Sequence, residues 1–183
     1  MQRPGNWFEF KFSFDHLSLE TYPRTLERLR GTPSRLADRL GLLPREVLTQ
    51  RDGEAWSIQE HAGHLIDLGG LDWARVDDYA AGRETLTAAD VQNRKTYTSE
   101  HNKNTIENIL ATLREERLML VGKLEAQGEA FTERSAFHPR LKMQMRVMDW
   151  AYFVAEHDDH HLAQISELIR KFASDGGGNP HQY

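Results

Sequence analysis

The chain has 183 residues, no cysteine and a formal net charge of −5, with both signs spread along it. That length fits one domain with a real hydrophobic core. The lack of cysteine excludes disulfides, thiolate nucleophiles and cysteine-based metal sites. The locally basic "RLADRLGLLPREVLTQR" has its arginines between leucines at helical spacing, so it reads as a solvated helix face rather than a nucleic-acid patch. No stretch approaches the ~18 apolar residues of a membrane span, and the N-terminus has no signal-peptide core. A cytoplasmic protein without nucleic-acid or membrane partners is expected.

At the N-terminus, Phe8, Phe10, Phe12 and Phe14 alternate at period two, a strand signature. A lone strand does not stand by itself, and the rest of the chain offers no clear second one. This arm is expected to lie extended over the helices, to pair with a partner subunit, or both. A first helix follows through Leu26, Leu29, Leu36 and Leu40, with a kink or restart expected at Thr32-Pro33 and an end at Gly41 and Pro44. A second begins at "WSIQEH", where Ser57 and Glu60 have capping-box spacing. Its stripe runs through Ile58, Ala62, Leu65, Leu68, Val76 and Tyr79 to a stop at Gly82.

A long polar connection, "GRETLTAADVQNRKTYTSEHNKN", leads to the third helix; connections of that length are often functional. The third helix carries Ile106, Leu110, Leu113, Leu120 and Leu124 on one face and ends at Gly128. After the loop "SAFHPRLKMQ", the fourth covers about Val147 to Phe172, and the "DGGGNPHQY" tail is expected to be disordered. The fold class is therefore all-α: a four-helix bundle with a long connection between helices 2 and 3 and an N-terminal extended arm. The expected boundaries are an arm over residues 1–16, a bundle over 17–174 and a tail over 175–183.

The fourth helix holds the chemistry, in "VAEHDDHHLAQI". Residues four apart lie about 40° apart around a helix axis, one turn above each other. His157 and His161 therefore point the same way, and they continue the apolar stripe of Val147, Trp150, Val154, Ile165 and Leu168 into the bundle interior. A single inward histidine is usually a hydrogen-bonded core residue. Two on one stripe each bring a polar group that must be satisfied, and they match the spacing of two-histidine helical metal sites. The residues alone leave both readings open. His160 falls on a flanking stripe. Asp158 and Asp159 read as solvated, His138 as a loop histidine able to line a pocket, and Trp56 and Trp150 as core residues at helix starts.

A bundle metal site needs ligands from a facing helix. "EHAGHLIDL" offers Glu60, His61, His64 and Asp67. Glu60 already has a capping role. The helical wheel places His61 nearer the middle of the apolar face than His64, and Asp67 is either a supporting acceptor or solvated. Three neutral imidazoles without thiolate suit a divalent ion such as Zn²⁺ or Ni²⁺, with positions left open for water or substrate.

"WSIQEHAGHLIDL", followed some ninety residues later by "AEHDDHHLAQI", resembles the DinB/YfiT-like superfamily, as do "RGTPSRLADRLGLLP" and "HPRL". The resemblance covers roughly Tyr22 to Phe172. It implies a four-helix bundle, a three-histidine divalent metal site and a homodimer. By position it makes His64 the ligand from "GHL", with His157 and His161 completing the set. Position 61 is commonly apolar in that family, so His61 is a departure. Members are often described as metal-dependent hydrolases, and some relatives transfer or isomerise with low-molecular-weight thiols. The resemblance thus implies a small-molecule substrate, with a low-molecular-weight thiol as one candidate partner; it names no catalytic residue beyond the ligands.

Overall fold

The computed structural model describes residues 7–175, with side chains through Phe172. The expected tail therefore lies outside the described residues, except that Asp175 ends the last helix. The chain runs α1 (Tyr22–Leu40), α2 (Arg45–Thr49), α3 (Ile58–Asp67), α4 (Gly69–Ala80), α5 (Arg94–Thr98), α6 (Ile106–Glu125), α7 (Glu129–Thr132), β1 (Ser135–His138), β2 (Met143–Arg146) and α8 (Val147–Asp175). The long helices form the bundle: α1 packs on α6 and α8, and α3 packs on the same two.

Local chemistry explains most of the boundaries. At the start of α3, the Glu60 N–H donates to Ser57 Oγ at 3.1 Å and the Ser57 N–H donates to Glu60 Oε2 at 2.9 Å, which is the expected capping box. Gly82 adopts φ +66°, a left-handed stop after α4 that a side chain would resist. α1 runs unbroken through Pro33, without the expected restart. Proline lacks one backbone donor, but Leu26, Leu29, Leu36 and Leu40, all buried, hold both halves in the core. Conversely, the stripe read as one second helix is divided at Leu68 into α3 and α4.

Two elements differ in kind from expectation. The "SAFHPRLKMQ" loop is an antiparallel hairpin with Ala136 opposite Met145 and His138 opposite Met143. Leu86 N–H donates to the Phe137 carbonyl at 3.0 Å and Phe137 N–H to the Glu84 carbonyl at 2.8 Å, tying the long connection to β1. The phenylalanine arm, in turn, forms no strand. Trp7–Glu9 is a 3-10 turn; Phe8 and Phe10 face outward while Phe14 is buried. Its rings pack on α8 instead, the Phe12 ring centre lying 5.1 Å from that of Phe153.

Two apolar clusters fill the bundle, one including Leu29, Val76, Leu120 and Val154, the other Leu36, Leu65, Leu113 and Leu162. Between them, at the intervening turn of each long helix, lies a polar layer of Thr32, Asp72, Arg117 and Asp158, all buried. Arg117 donates to Asp158 at 2.7 and 3.0 Å and to Asp72 at 3.1 Å. The histidines of α8 stand beside this layer.

Candidate metal centre

His157 and His161 are one turn apart on α8, and α3 brings His64 to them. One ring nitrogen of each lies within 4.8 Å of the others. His157 Nε2 and His161 Nε2 are 3.2 Å apart. Two nitrogens bound to one zinc at about 2.0–2.1 Å in tetrahedral geometry are separated by about 3.3 Å, so this pair already has ligand spacing.

The hydrogen bonds behind the rings decide which nitrogens are available. His64 Nδ1 is 2.8 Å from Thr96 Oγ1, and Thr96 also bonds Asp67. A hydroxyl that donates to a carboxylate is left to accept, so His64 carries its proton on Nδ1 and presents a bare Nε2. His161 Nδ1 is 2.9 Å from His61 Nδ1; with Nδ1 as donor, the His161 Nε2 lone pair points at His157. Metal-bound histidines are commonly oriented by such partners.

α3 is held in place for this. Gly63 leaves room for His101: a Cβ there would lie 2.2 Å from its ring. His101 Nε2 then reaches Asp67 Oδ2 at 2.8 Å. Burial alone would raise the Asp67 carboxyl; hydrogen bonds from His101, Thr96 and Ser99 outweigh that and hold it below its ordinary range. Glu60 is likewise lowered, burial being outweighed by Arg51 and the Ser57 N–H.

Burial also sets the protonation of the imidazoles. It drives His157 and His161 well below the ordinary range, with neighbouring histidines and, for His157, Arg117 adding to the effect. Burial lowers His64 to about 4, against the pull of Asp67, and His61 to about 3. All four rings are neutral at pH 7, the state in which imidazole binds metal. A donor set of three neutral nitrogens fits a borderline divalent ion.

The triad opens into a cavity of about 630 Å³, within the range of small-molecule sites. Trp56, half-buried rather than a core residue, lies 4.8 Å from the His64 ring and 6.2 Å from that of His161. Trp7 of the arm lies 5.0 Å from His157 and 5.3 Å from His160. Trp150 is fully buried.

The other candidates separate cleanly. His61 is inward, as the wheel indicated, but stands behind His161. His160 lines the cavity beside the triad. The Asp67 side chain is 6% exposed and hydrogen-bonded. Asp158 is not solvated but fully buried on Arg117; Asp159, its side chain 33% exposed, pairs with Arg28 and Arg35. His138 ends β1, is 1% exposed and lines the cavity. Sequence reasoning missed Thr96, which no local pattern marks. It also missed Arg117, although residue 117 falls in phase with Leu113, Leu120 and Leu124.

The comparisons with known proteins agree with this architecture. Residues 28–165 match the model of the DinB superfamily. A solved structure titled "YfiT from Bacillus subtilis is a probable metal-dependent hydrolase with an unusual four-helix bundle topology" aligns with a TM-score of 0.77 and 21% identity, over 90% of this chain and 94% of that one. A mycothiol-dependent maleylpyruvate isomerase aligns with a TM-score of 0.63 and 12% identity, over 88% of this chain and 70% of that one. At such identities the likeness is one of fold. No curated protein matches the chain in sequence. With the family model covering most of its length, the chain belongs to the DinB superfamily.

Proposed function

We propose that this protein is a metal-dependent enzyme, a hydrolase or transferase acting on a small molecule, with His64, His157 and His161 holding Zn²⁺ or Ni²⁺ in a cytoplasmic homodimer. The carrying observation is three neutral imidazoles converging at the wall of a small-molecule-sized cavity. A divalent ion held there supplies Lewis acidity to whatever fills its open positions. The chain's own residues do the rest. Thr96 and His61 fix the tautomers and ring planes of His64 and His161. Trp7 and Trp56 wall the triad with aromatic surface. His160, lowered by burial, offers a neutral ring beside the triad that can accept a proton.

Elemental analysis of protein purified without a histidine tag tests this. Wild type is expected to carry close to one equivalent of metal, and His64→Ala and His157→Ala to lose most of it. Variants that bind as much metal as wild type would sink the assignment.

A second reading is S-transfer from a low-molecular-weight thiol, with the ion lowering the thiol's pKa. Its support is the similarity in fold to a mycothiol-dependent isomerase. It predicts conjugation of monochlorobimane in the presence of mycothiol, bacillithiol or glutathione; a flat response with all three counts against it.

A further inference from the structure

The wall of the cavity formed by the arm, α4 and the hairpin has an unbalanced chemistry. Three buried donors there have no hydrogen-bond partner: Trp7 Nε1, Arg75 Nη2 and His138 Nε2. All three residues line the same cavity as the triad. Arg75 is 3% exposed and His138 1%. Arg75 spends its Nε on the Thr87 carbonyl at 3.0 Å, which leaves the Nη2 end of the guanidinium unmatched. His138 Nδ1 accepts the Leu141 N–H at 3.1 Å, so the proton of the neutral ring sits on Nε2, a fixed donor.

Arg140, in the hairpin turn, joins them. Its guanidinium lies 4.7 Å from the Phe8 ring and 5.7 Å from both Trp7 and Phe153. Its hydrogen bond to the Trp7 carbonyl is long, at 3.4 Å, and no carboxylate pairs with it among the described residues. Arg75 and Arg140 act on each other and on His138: after burial, their charges are what lower the His138 imidazole, to about 3. The acids nearest Arg75 are committed elsewhere. Asp72 is bound by Arg117, and Asp78 accepts from the Thr87 N–H at 2.6 Å, from the Thr87 hydroxyl and from Arg83.

A buried guanidinium end and two buried N–H groups left without acceptors are costly, and native proteins rarely leave several together. All are donors, two belong to or adjoin cations, and they border one cavity. What is missing is an acceptor carrying negative charge. A carboxylate offers two oxygens with about four lone-pair directions, matching a guanidinium edge plus N–H groups. Leu68, Leu71 and Val154 supply apolar lining elsewhere in the cavity.

We propose that Arg75, His138, Arg140 and Trp7 form a carboxylate pocket. It holds the acid group of a small substrate with an apolar body while the reactive end faces His64, His157 and His161. The orientation rests on reading the triad as the reacting end; the carboxylate pocket itself does not.

Calorimetric titration with acetate, phenylacetate and 4-phenylbutyrate, each against its neutral amide and against inorganic phosphate, tests it. At least one carboxylate is expected to bind roughly tenfold or more tightly than its amide, and Arg140→Gln to lose that advantage. Arg75→Gln is expected to do the same; because Arg75 is buried, its fold is checked by circular dichroism, and the half-buried Arg140 keeps the test standing if Arg75→Gln unfolds. Both arginine variants are expected to keep wild-type metal content, and His157→Ala to lose metal while retaining carboxylate binding. The proposal is overturned if every amide matches its acid, if no carboxylate binds in the millimolar range, or if Arg140→Gln binds like wild type. Phosphate binding more tightly than every carboxylate overturns it in favour of a phosphate pocket. Loss of metal from His64→Ala and His157→Ala bears on the triad alone, so the two readings fail separately.

Discussion

His61 and His64 sit three residues apart on α3, and their separation of roles shows what helical phase can and does not convey. Phase places both near the interior. It does not say which ring reaches the centre of the site, because that depends on where α8 and the long connection end up. Thr96 takes the Nδ1 of His64 and turns its other nitrogen toward α8. His61 meets the back of His161 instead. The pair on α8 was legible from its own spacing; the choice of His64 came from family likeness and not from periodicity.

These rings also give the metal-free protein a pH dependence of definite sign. An imidazole in the unfolded chain takes up a proton near 6.5, whereas folded His61 does so only near 3. Between those values the unfolded state binds the extra proton, so stability rises with pH and is lost as pH falls through the window. Above about pH 6.5 this contribution is flat. Thermal denaturation in chelator is expected to show a melting temperature steady above neutrality and falling toward pH 4. His61→Gln should show a shallower fall than wild type; equal slopes would show that the ring is not held neutral by its surroundings.

At the scale of elements, the connection between α4 and α6 does more than span a distance. Its short α5 carries Thr96 to His64, and the following turn carries His101 to Gly63 and Asp67. Thr96→Val keeps the shape and removes the hydroxyl, so His64 loses the partner that fixes its tautomer. Metal affinity is expected to drop about 10–100-fold, with the far-UV circular dichroism unchanged; a competition titration with a chromophoric chelator measures it. The long polar stretch could be read as functional from its length. Its two contributing residues could not, because a threonine and a histidine in a polar run look like any others until the tertiary fold brings them to α3. The same limit applies to the hairpin, where Ala136 and Met145 give too short an apolar pattern to mark a strand pair. The capping box at Ser57 was fully legible, since its chemistry is contained in four residues.

At the scale of the whole molecule, the bundle has two apolar halves divided by the ion-paired layer of Arg117, Asp72 and Asp158. Burial pushes the Asp72 carboxyl up to about 6 against the attraction of Arg117, with Asp158 adding to the rise. Removing the arginine leaves buried Asp158 without its ion-pair partner and Asp72 with only the attraction of Arg75. Arg117→Met is expected to destabilise the fold by about 3–5 kcal/mol, the usual result of breaking a buried ion pair from one side, as read by chemical denaturation. A loss within experimental error would mean that water replaces the guanidinium. The four-helix plan was legible because apolar periodicity spans every long element. The layer was not, because an arginine in phase with leucines reads as an interruption of the stripe.

The layer also bears on how the site is loaded. It fixes the helices beside the histidines through contacts that involve no metal, and the two apolar halves continue above and below it. If the triad holds a metal as proposed, a cation arriving from solvent would meet donors whose ordering entropy was lost during folding and not on binding. On that reading the chain would be unlike small domains in which the ion and the fold form together. Chelation would strip such a site without melting the molecule, and the emptied protein would remain a competent acceptor for whichever divalent ion is available next.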